Sequence, residues 1–180
     1  MSGPKTDTRN IIDPYKYWTT EAILADLDEK RHNFSVLCCN IQGDFNLSTI
    51  VRNSNAFLAK QVIIYGKKKW DRRGAVGTQN YTNFKHVCEA DDSQLDELLK
   101  DCHVIGIDNV ENAKPINKFD WNIDKHIVMC FGEENSGLPK EILDICDDIV
   151  YIEQYGSVRS LNVGCASSIA MFDFCSKRIV

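Results

Sequence analysis

The chain has 180 residues, 26 acidic against 21 basic for a formal net charge of −5, with 43% hydrophobic residues, 10 glycines and 4 prolines. These figures exclude collagen-like, low-complexity and broadly disordered classes and fit one globular domain able to bury a substantial core. The acidic balance argues against a histone-like protein that coats nucleic acid through bulk charge, while leaving room for a local basic site. No run approaches the roughly 20 apolar residues of a membrane span; Ile127 to Phe131 has strand length. The start, Met1-Ser-Gly-Pro-Lys-Thr-Asp-Thr-Arg9, lacks the apolar core of a secretory signal, so the expected location is the cytosol, with the nucleus as the second choice. The eight cysteines are scattered singly through apolar segments without a Cys-x-x-Cys, which predicts buried reduced thiols rather than a disulfide framework. Three N-x-S/T sequons, at Asn33, Asn46 and Asn80, carry no weight without an export signal.

In chain order, residues 1–33 form a Pro-containing leader followed by one amphipathic helix, Thr20 to Arg31, with Ile23, Leu24 and Leu27 on its apolar face. This is read as an extension that packs on the domain or on a partner, and 34–180 as the main domain. From Ser35 onward, short apolar runs alternate with helical patterns, as in a parallel sheet of an α/β fold flanked by helices. The predicted strands are Ser35 to Cys39, Val62 to Tyr65, Val104 to Ile107, Ile127 to Phe131 and Ile149 to Ile152. The predicted helices are Asn46 to Leu58, Ser93 to Cys102, Lys140 to Cys146 and Leu161 to Lys177, with Asn46 and Ser93 as N-caps.

The common nucleotide and metal fingerprints are missing. There is no G-x-G-x-x-G, G-x-x-x-x-G-K-[ST] or H-E-x-x-H, and the four histidines do not pair with cysteines at zinc-ligand spacing, so no metal is expected. Three loops at the carboxyl ends of predicted strands, where open parallel sheets collect ligands, hold the chemistry instead. The first runs from Asn40 through Gly43 to Asn46-Leu-Ser-Thr-Ile-Val-Arg52, with Arg52 about 1.7 turns into the helix. The second is Phe131-Gly-Glu-Glu-Asn-Ser-Gly-Leu-Pro139, where Gly132 and Gly137 bracket a polar turn and allow the backbone to approach a flat ligand. The third runs from Ile152 to Arg159-Ser-Leu-Asn162 and enters a helix crowded with small residues, Gly164 to Ala170, which are read as close packing. A fourth feature is electrical. Lys67-Lys-Lys-Trp-Asp-Arg-Arg73 sets five cations against one carboxylate in an acidic chain, and Trp70, Tyr81 and Phe84 in the same long loop suggest phosphate contact with base stacking.

In this order the motifs resemble those of the SpoU/TrmH family of RNA ribose 2′-O-methyltransferases, within the SPOUT superfamily. The resemblance covers about residues 35 to 178. Asn46 to Arg52 looks like its first motif, Phe131 to Leu138 like its second and Ser160-Leu-Asn-Val163 like its third. The resemblance implies a deep trefoil knot at the C-terminal end, S-adenosyl-L-methionine bound in that knot, and a homodimer with sites near the subunit interface. It implies RNA as substrate, with transfer RNA ahead of ribosomal RNA. Gly132, Ile152 and Leu161 match residues that line the cofactor pocket. Arg52 matches the arginine that activates the ribose hydroxyl, and Asn46, Glu134, Ser160 and Asn162 match the polar residues around it. Lys67, Lys68, Lys69, Arg72 and Arg73 are the expected RNA contacts.

Methyl transfer from a sulfonium needs in-line approach of the oxygen and help with the hydroxyl proton, so positioning supplies most of the acceleration. Arginine, with a reference pKa of about 12.5–13.8, is a poor base, which assigns Arg52 to orienting and polarising the 2′-hydroxyl and leaves the base open. Three positions depart from the family pattern: Ser48 stands where glycine is common, Glu153 where proline is, and Gly164 where serine is. Two other readings compete. A non-catalytic knotted RNA-binding or scaffold subunit would not need Arg52, Glu134 and Asn162, and a relative that methylates a base nitrogen would not carry Ser160-Leu-Asn162.

Overall fold

The computed structural model of the protein describes residues 7–41, 45–66, 69–88 and 92–179. Strands β1 (Phe34–Cys39), β2 (Val62–Tyr65), β3 (Phe84–Val87), β4 (Cys102–Ile107), β5 (Lys114–Pro115), β6 (His126–Phe131) and β7 (Asp148–Tyr151) form one seven-stranded sheet. The order is β3-β2-β1-β6-β4-β7-β5, and every pairing is parallel. The helices are α1 (Thr20–Asp28), α2 (Asn46–Ala56), α3 (Asp92–Leu99), α4 (Lys140–Leu143) and α5 (Val163–Arg178).

Successive residues of a strand point to opposite faces, and a parallel sheet must be covered on both, so the central strands are apolar throughout. Val36, Cys38, Ile64, Ile105 and Met129 pack on one face with Ile50 and Val51 of α2 and Met171 and Phe174 of α5. Leu37, Ile63, Tyr65, Val104 and Val128 pack on the other with Leu95 and Leu99 of α3 and Ile142 of α4. The small residues of α5 let it approach α2 closely: a Cβ on Gly164 would meet Thr49 Cγ2 at 2.8 Å. Asn53 Nδ2 ties the pair by donating to Gly164 O and Ser167 Oγ, each at 2.9 Å.

The five predicted strands are present with ends shifted by at most two residues, β4 taking in Cys102 from the predicted helix, and β3 and β5 are additional. Both are short, and both lie at the sheet's two edges, where polar residues and a proline are tolerated. That is why their patterns did not stand out. Phe84 therefore belongs to β3 and not to a loop, where it is half-buried, and Tyr81 is 6% exposed, so Tyr81 is not available for stacking on a base as expected. Helix α1 ends at Asp28, short of the predicted Arg31, and the Arg31 guanidinium, 4% exposed, instead donates to Ala59 O, Tyr81 O and Asp28. The apolar face of α1, Ile23 and Leu27, packs with Tyr81, Ile11, Tyr15 and Leu58. Ser93 lies inside α3. All eight cysteines are free; Cys38, Cys39 and Cys130 are buried, while Cys88 and Cys165 are exposed, against the expectation of uniformly buried thiols. Among the described residues no helix is long and apolar enough to cross a membrane.

Candidate active site at the strand ends

β6 inserts between β1 and β4, and β7 between β4 and β5, so chain connections diverge at the carboxyl ends of these strands and leave a crevice there. A cavity of about 380 Å³ occupies it, walled by the ends of β4, β6 and β7 and by the loops that follow them.

The loop after β6 is a tight turn. Glu133 and Gly137 exchange backbone hydrogen bonds at 3.1 and 2.8 Å, and Gly137 sits at φ +71°, where side chains are strained. A Cβ on Gly132 would overlap the backbone of Gly137, and one on Gly137 would meet Asp108 Oδ2 at 2.5 Å. Asp108 Oδ2 accepts from Leu138 N at 2.7 Å, tying this turn to the end of β4. The two adjacent carboxylates divide their work. Glu133 accepts within the turn from Ser136 Oγ at 2.5 Å and Asn135 Nδ2 at 3.3 Å, and Glu134 Oε1 accepts from Asn46 Nδ2, 88 residues away.

Asn46 continues the chain of contacts. Its Oδ1 accepts from Asn162 Nδ2 at 2.8 Å, across 116 residues. Asn162 Oδ1 accepts from Gly164 N and Cys165 N at 2.9 and 3.3 Å and so caps α5. Asn46 itself is the first helical residue of α2, behind Phe45 at the N-cap position, and not the cap that its residue type predicts. Its amide is committed to Glu134 and Asn162. The three loops singled out in the sequence thus meet at one line of side chains, Glu134, Asn46 and Asn162.

Glu134, Ser160, Leu161, Ile152 and Gly132 all line the cavity. Arg52 does not. It is exposed on α2 with no hydrogen bond or ion pair to the described residues, and six positions of helix put it about 240° around the axis from Asn46. Gly43, Lys67 and Lys68 lie outside the described residues. The rest of the basic loop folds back onto the start of α2: Lys69 is exposed, Arg72 lies over Trp70 at 5.8 Å and Arg73 over Phe45 at 5.5 Å, and Arg73 pairs with Asp71 at 2.5 Å. Trp70 is half-buried, 6.0 Å from Phe84. Ser48 explains itself here, because its hydroxyl donates to Asp71 O and seats the loop, with Gly74 pressed against Ser48. Glu153, another departure, accepts from Asn117 Nδ2 at 2.7 Å.

Residues not picked out from the sequence also shape the site. Asp108 fixes the glycine turn, Asn53 fixes α5 on α2, and Asn109 Nδ2 donates to Arg159 O at 3.1 Å, bracing the loop after β7. The available signal was weak: Asp108-Asn109 is a polar pair directly after a strand. Among the described residues no group of three or more His, Cys, Asp or Glu side chains is placed to hold a metal ion.

Comparison with known proteins agrees with this arrangement. A Staphylococcus aureus protein named as a TrmH family tRNA/rRNA methyltransferase is 25% identical over 98% of this chain and 73% of its own length. The Acinetobacter baylyi 23S rRNA (guanosine-2′-O-)-methyltransferase RlmB is 38% identical over 42% of this chain and 30% of its own length. The A. aeolicus TrmH/SpoU tRNA modifying enzyme superposes with a TM-score of 0.76 at 25% identity, over 89% of this chain and 84% of that one. The AdoMet-bound rRNA methyltransferase of Sinorhizobium meliloti shares the fold, with a TM-score of 0.74 at 21% identity over 87% and 61% of the two chains. The SpoU rRNA Methylase family profile matches residues 33–172, and this chain belongs to that family.

Proposed function

We propose that the protein transfers a methyl group from S-adenosyl-L-methionine to a ribose 2′-hydroxyl of structured RNA, with transfer RNA as the favoured class. The observation that carries this reading is the hydrogen-bonded line Glu134, Asn46 and Asn162 beside the strand-end cavity, which joins the three family motifs at one place. RlmB, the relative with 38% identity over part of the chain, is by name a guanosine 2′-O-methyltransferase, and the Ser160-Leu-Asn162 motif supports the same acceptor.

The cavity suits the cofactor. Its volume of about 380 Å³ lies in the range of small-molecule sites, and the side-chain-free turn at Gly132 and Gly137 lets the backbone come up to a ligand. S-adenosyl-L-methionine supplies an electrophilic methyl on a positive sulfur. The chain's residues supply positioning: Gly132, Ile152 and Leu161 hold the donor, while Glu134, Asn46, Ser160 and Asn162 orient the ribose. Arg52, exposed and without a partner among the described residues, polarises the hydroxyl or holds an adjacent phosphate; it acts on bound RNA or across a subunit boundary, since its own cavity does not include it. Lys67, Lys68, Lys69, Arg72 and Arg73 bind the RNA backbone.

The proposal includes a deep trefoil knot in the C-terminal segment, supported by the insertion of β7 between β4 and β5 and by a following loop that runs from Asn109 to Asn46 before α5. It includes a homodimer, supported by the apolar side chains left exposed there, Tyr155 at 90%, Val158 at 63% and Phe172 at 62%. It also divides the chain into an extension, 1–33, and a methyltransferase domain, 34–180.

The test is calorimetry with S-adenosyl-L-methionine or its demethylated product, followed by transfer of a tritiated methyl into total RNA and mapping of the modified positions. Arg52→Ala is expected to abolish transfer while leaving cofactor affinity within a few-fold. Cofactor binding without transfer into any RNA would favour the scaffold reading.

A further inference from the structure

Thiols gather behind the glycine turn, on the face of the sheet that α3 and α4 cover. Cys39 and Cys130 belong to that core, and the half-buried Cys146 packs against it. Gly106 locates the last two. It is the registered partner of Cys130 across β4 and β6, and a Cβ placed on it would meet Cys146 Sγ at 3.2 Å and Leu138 Cδ1 at 3.0 Å. Cys146 thus takes up the space that a side chain at Gly106 would fill, next to Cys130, and the two thiols are hydrogen-bonded. Cys146 Sγ donates to Ile142 O at 3.1 Å, so within the pair it is Cys130 that donates; its other acceptor, Val128 O, is 3.9 Å away.

The donated bond makes the two sulfurs unequal. Together with the Gly106 backbone it holds the Cys146 thiol below its ordinary value, against burial and the carboxylates of Asp147 and Asp108, while the same bond and full burial push Cys130 well above. A more acidic, partly exposed thiol beside a buried one suits a sulfur that is oxidised first and a second that resolves it. The pair also brackets one wall of the strand-end cavity: the Gly132 to Leu138 turn and α4 lie between the two cysteines in the chain, and Leu138 and Leu143 line that cavity. We propose that Cys130 and Cys146 form a reversible disulfide under peroxide, and that closing it draws the end of α4 toward β6 and displaces this wall. The Cys146 thiolate attacks one peroxide oxygen and the O–O bond breaks, leaving a sulfenic acid and a hydroxide that takes up the thiol's former proton as water. The Cys130 sulfur then gives up its proton and attacks the Cys146 sulfur; the S–S bond forms, the S–O bond breaks, and the departing hydroxide leaves with that proton as a second water. Two thiols lose two electrons and one peroxide becomes two waters. Cys130 lies in a central strand paired on both sides, so the approach to a bond of about 2.0 Å is made by the segment that ends α4.

The bond stands apart from the cofactor reading, and its effect on binding rests on that reading. Trypsin cleaves after Lys140 and so places the two sulfurs in separate peptides. Mapping of the full chain without reduction, after hydrogen peroxide, is expected to give these two peptides linked through Cys130 and Cys146, and dithiothreitol is expected to separate them. In Cys130→Ala the same treatment is expected to leave Cys146 as a sulfenic acid captured by dimedone. In Cys146→Ser it is expected to leave Cys130 a thiol, and circular dichroism verifies that both variants are folded. Calorimetry with S-adenosylhomocysteine is expected to show affinity on the order of tenfold weaker in the linked protein, restored by dithiothreitol and unaffected by peroxide in Cys146→Ser. Linkage of Cys146 to Cys39, or oxidation confined to the exposed Cys88 and Cys165, overturns the pair. A linked protein that binds S-adenosylhomocysteine as the reduced one does overturns the coupling to the cavity. Failure of the reduced protein to bind that compound overturns the cofactor reading, and the linked peptides still decide the pair.

Discussion

The strand-end cavity, about 380 Å³, and a second cavity beneath the leader, about 320 Å³, are close in size and opposite in construction. The leader cavity is walled largely by Ile11, Ile12, Tyr15, Ile23, Leu27 and Leu58. The polar groups near it hold the leader in place: Tyr15 OH donates to Asp26 at 2.5 Å, Lys30 Nζ to Asp26 at 2.6 Å, and Arg9 to Asp7 and Trp18 O. At the strand ends, by contrast, a side-chain-free turn and a line of three polar side chains converge from segments far apart in sequence. Volume therefore does not separate a seam where one segment docks on another from a site. What separates them is that residues from three distant segments wall the strand-end space around a turn without side chains, whereas one docked segment closes the other.

That contrast can be broken by substitutions on either side. Ile23→Ala is expected to have the largest effect, a loss of about 2–5 kcal/mol of stability in urea unfolding, with cofactor-product affinity unchanged in calorimetry on the folded protein. A parallel loss of affinity would mean that the leader supports the site. Gly132→Ala is expected to act the other way. The added methyl meets backbone, so binding of S-adenosylhomocysteine falls roughly a hundredfold or more, and near-normal binding would remove this turn from the cofactor wall.

Asn162→Ala removes the α5 cap together with the link to Asn46, for about 0.5–2 kcal/mol of stability, and initial rates of tritium transfer are expected to fall further than stability accounts for. Arg72→Gln tests the basic loop, whose expected signature is a slope of RNA affinity against salt reduced by about one, with cofactor affinity untouched.

The smallest effect concerns His126, which lines neither cavity. Burial, helped by Lys60, holds its pKa below the ordinary imidazole value, and its ring nitrogens are engaged with Asn33 Oδ1 at 2.9 Å and Ser35 Oγ at 2.8 Å. The unfolded chain takes up a proton near pH 6.5, before the folded chain does, so the contribution to stability is complete above that pH and is lost progressively as pH falls toward the depressed folded value. Unfolding midpoints of the native protein and His126→Gln between pH 8 and 5 would compare the two slopes, and equal slopes would remove His126 as the source.

Much of the site was legible before any coordinates. Gly132, Glu134, Asn46 and Asn162 stood out because a strand-to-helix turn seldom needs two glycines around paired carboxylates, or an asparagine before a helix of small residues. Their type and order were visible; their partners were not. Asn46 illustrates the difference, since its residue type suits a helix cap and only the arrival of Glu134 and Asn162 commits its amide elsewhere. Asp108 was passed over because it belongs to no local pattern: it acts by tying two strand ends together. Tyr81 and Phe84 looked like loop aromatics because nothing local shows α1 closing over the first or an edge strand claiming the second.

Periodicity and glycine placement, which act within a few residues, determined the central strands, most of the helical segments and the three polar loops, since the backbone has few ways to satisfy such patterns. The strand order, the edge strands, the burial of Tyr81 and the meeting of Glu134, Asn46 and Asn162 were decided by the tertiary structure alone. Contacts between residues about 90 to 120 positions apart depend on which strand inserts beside which, and that choice is made by packing both faces of the sheet at once.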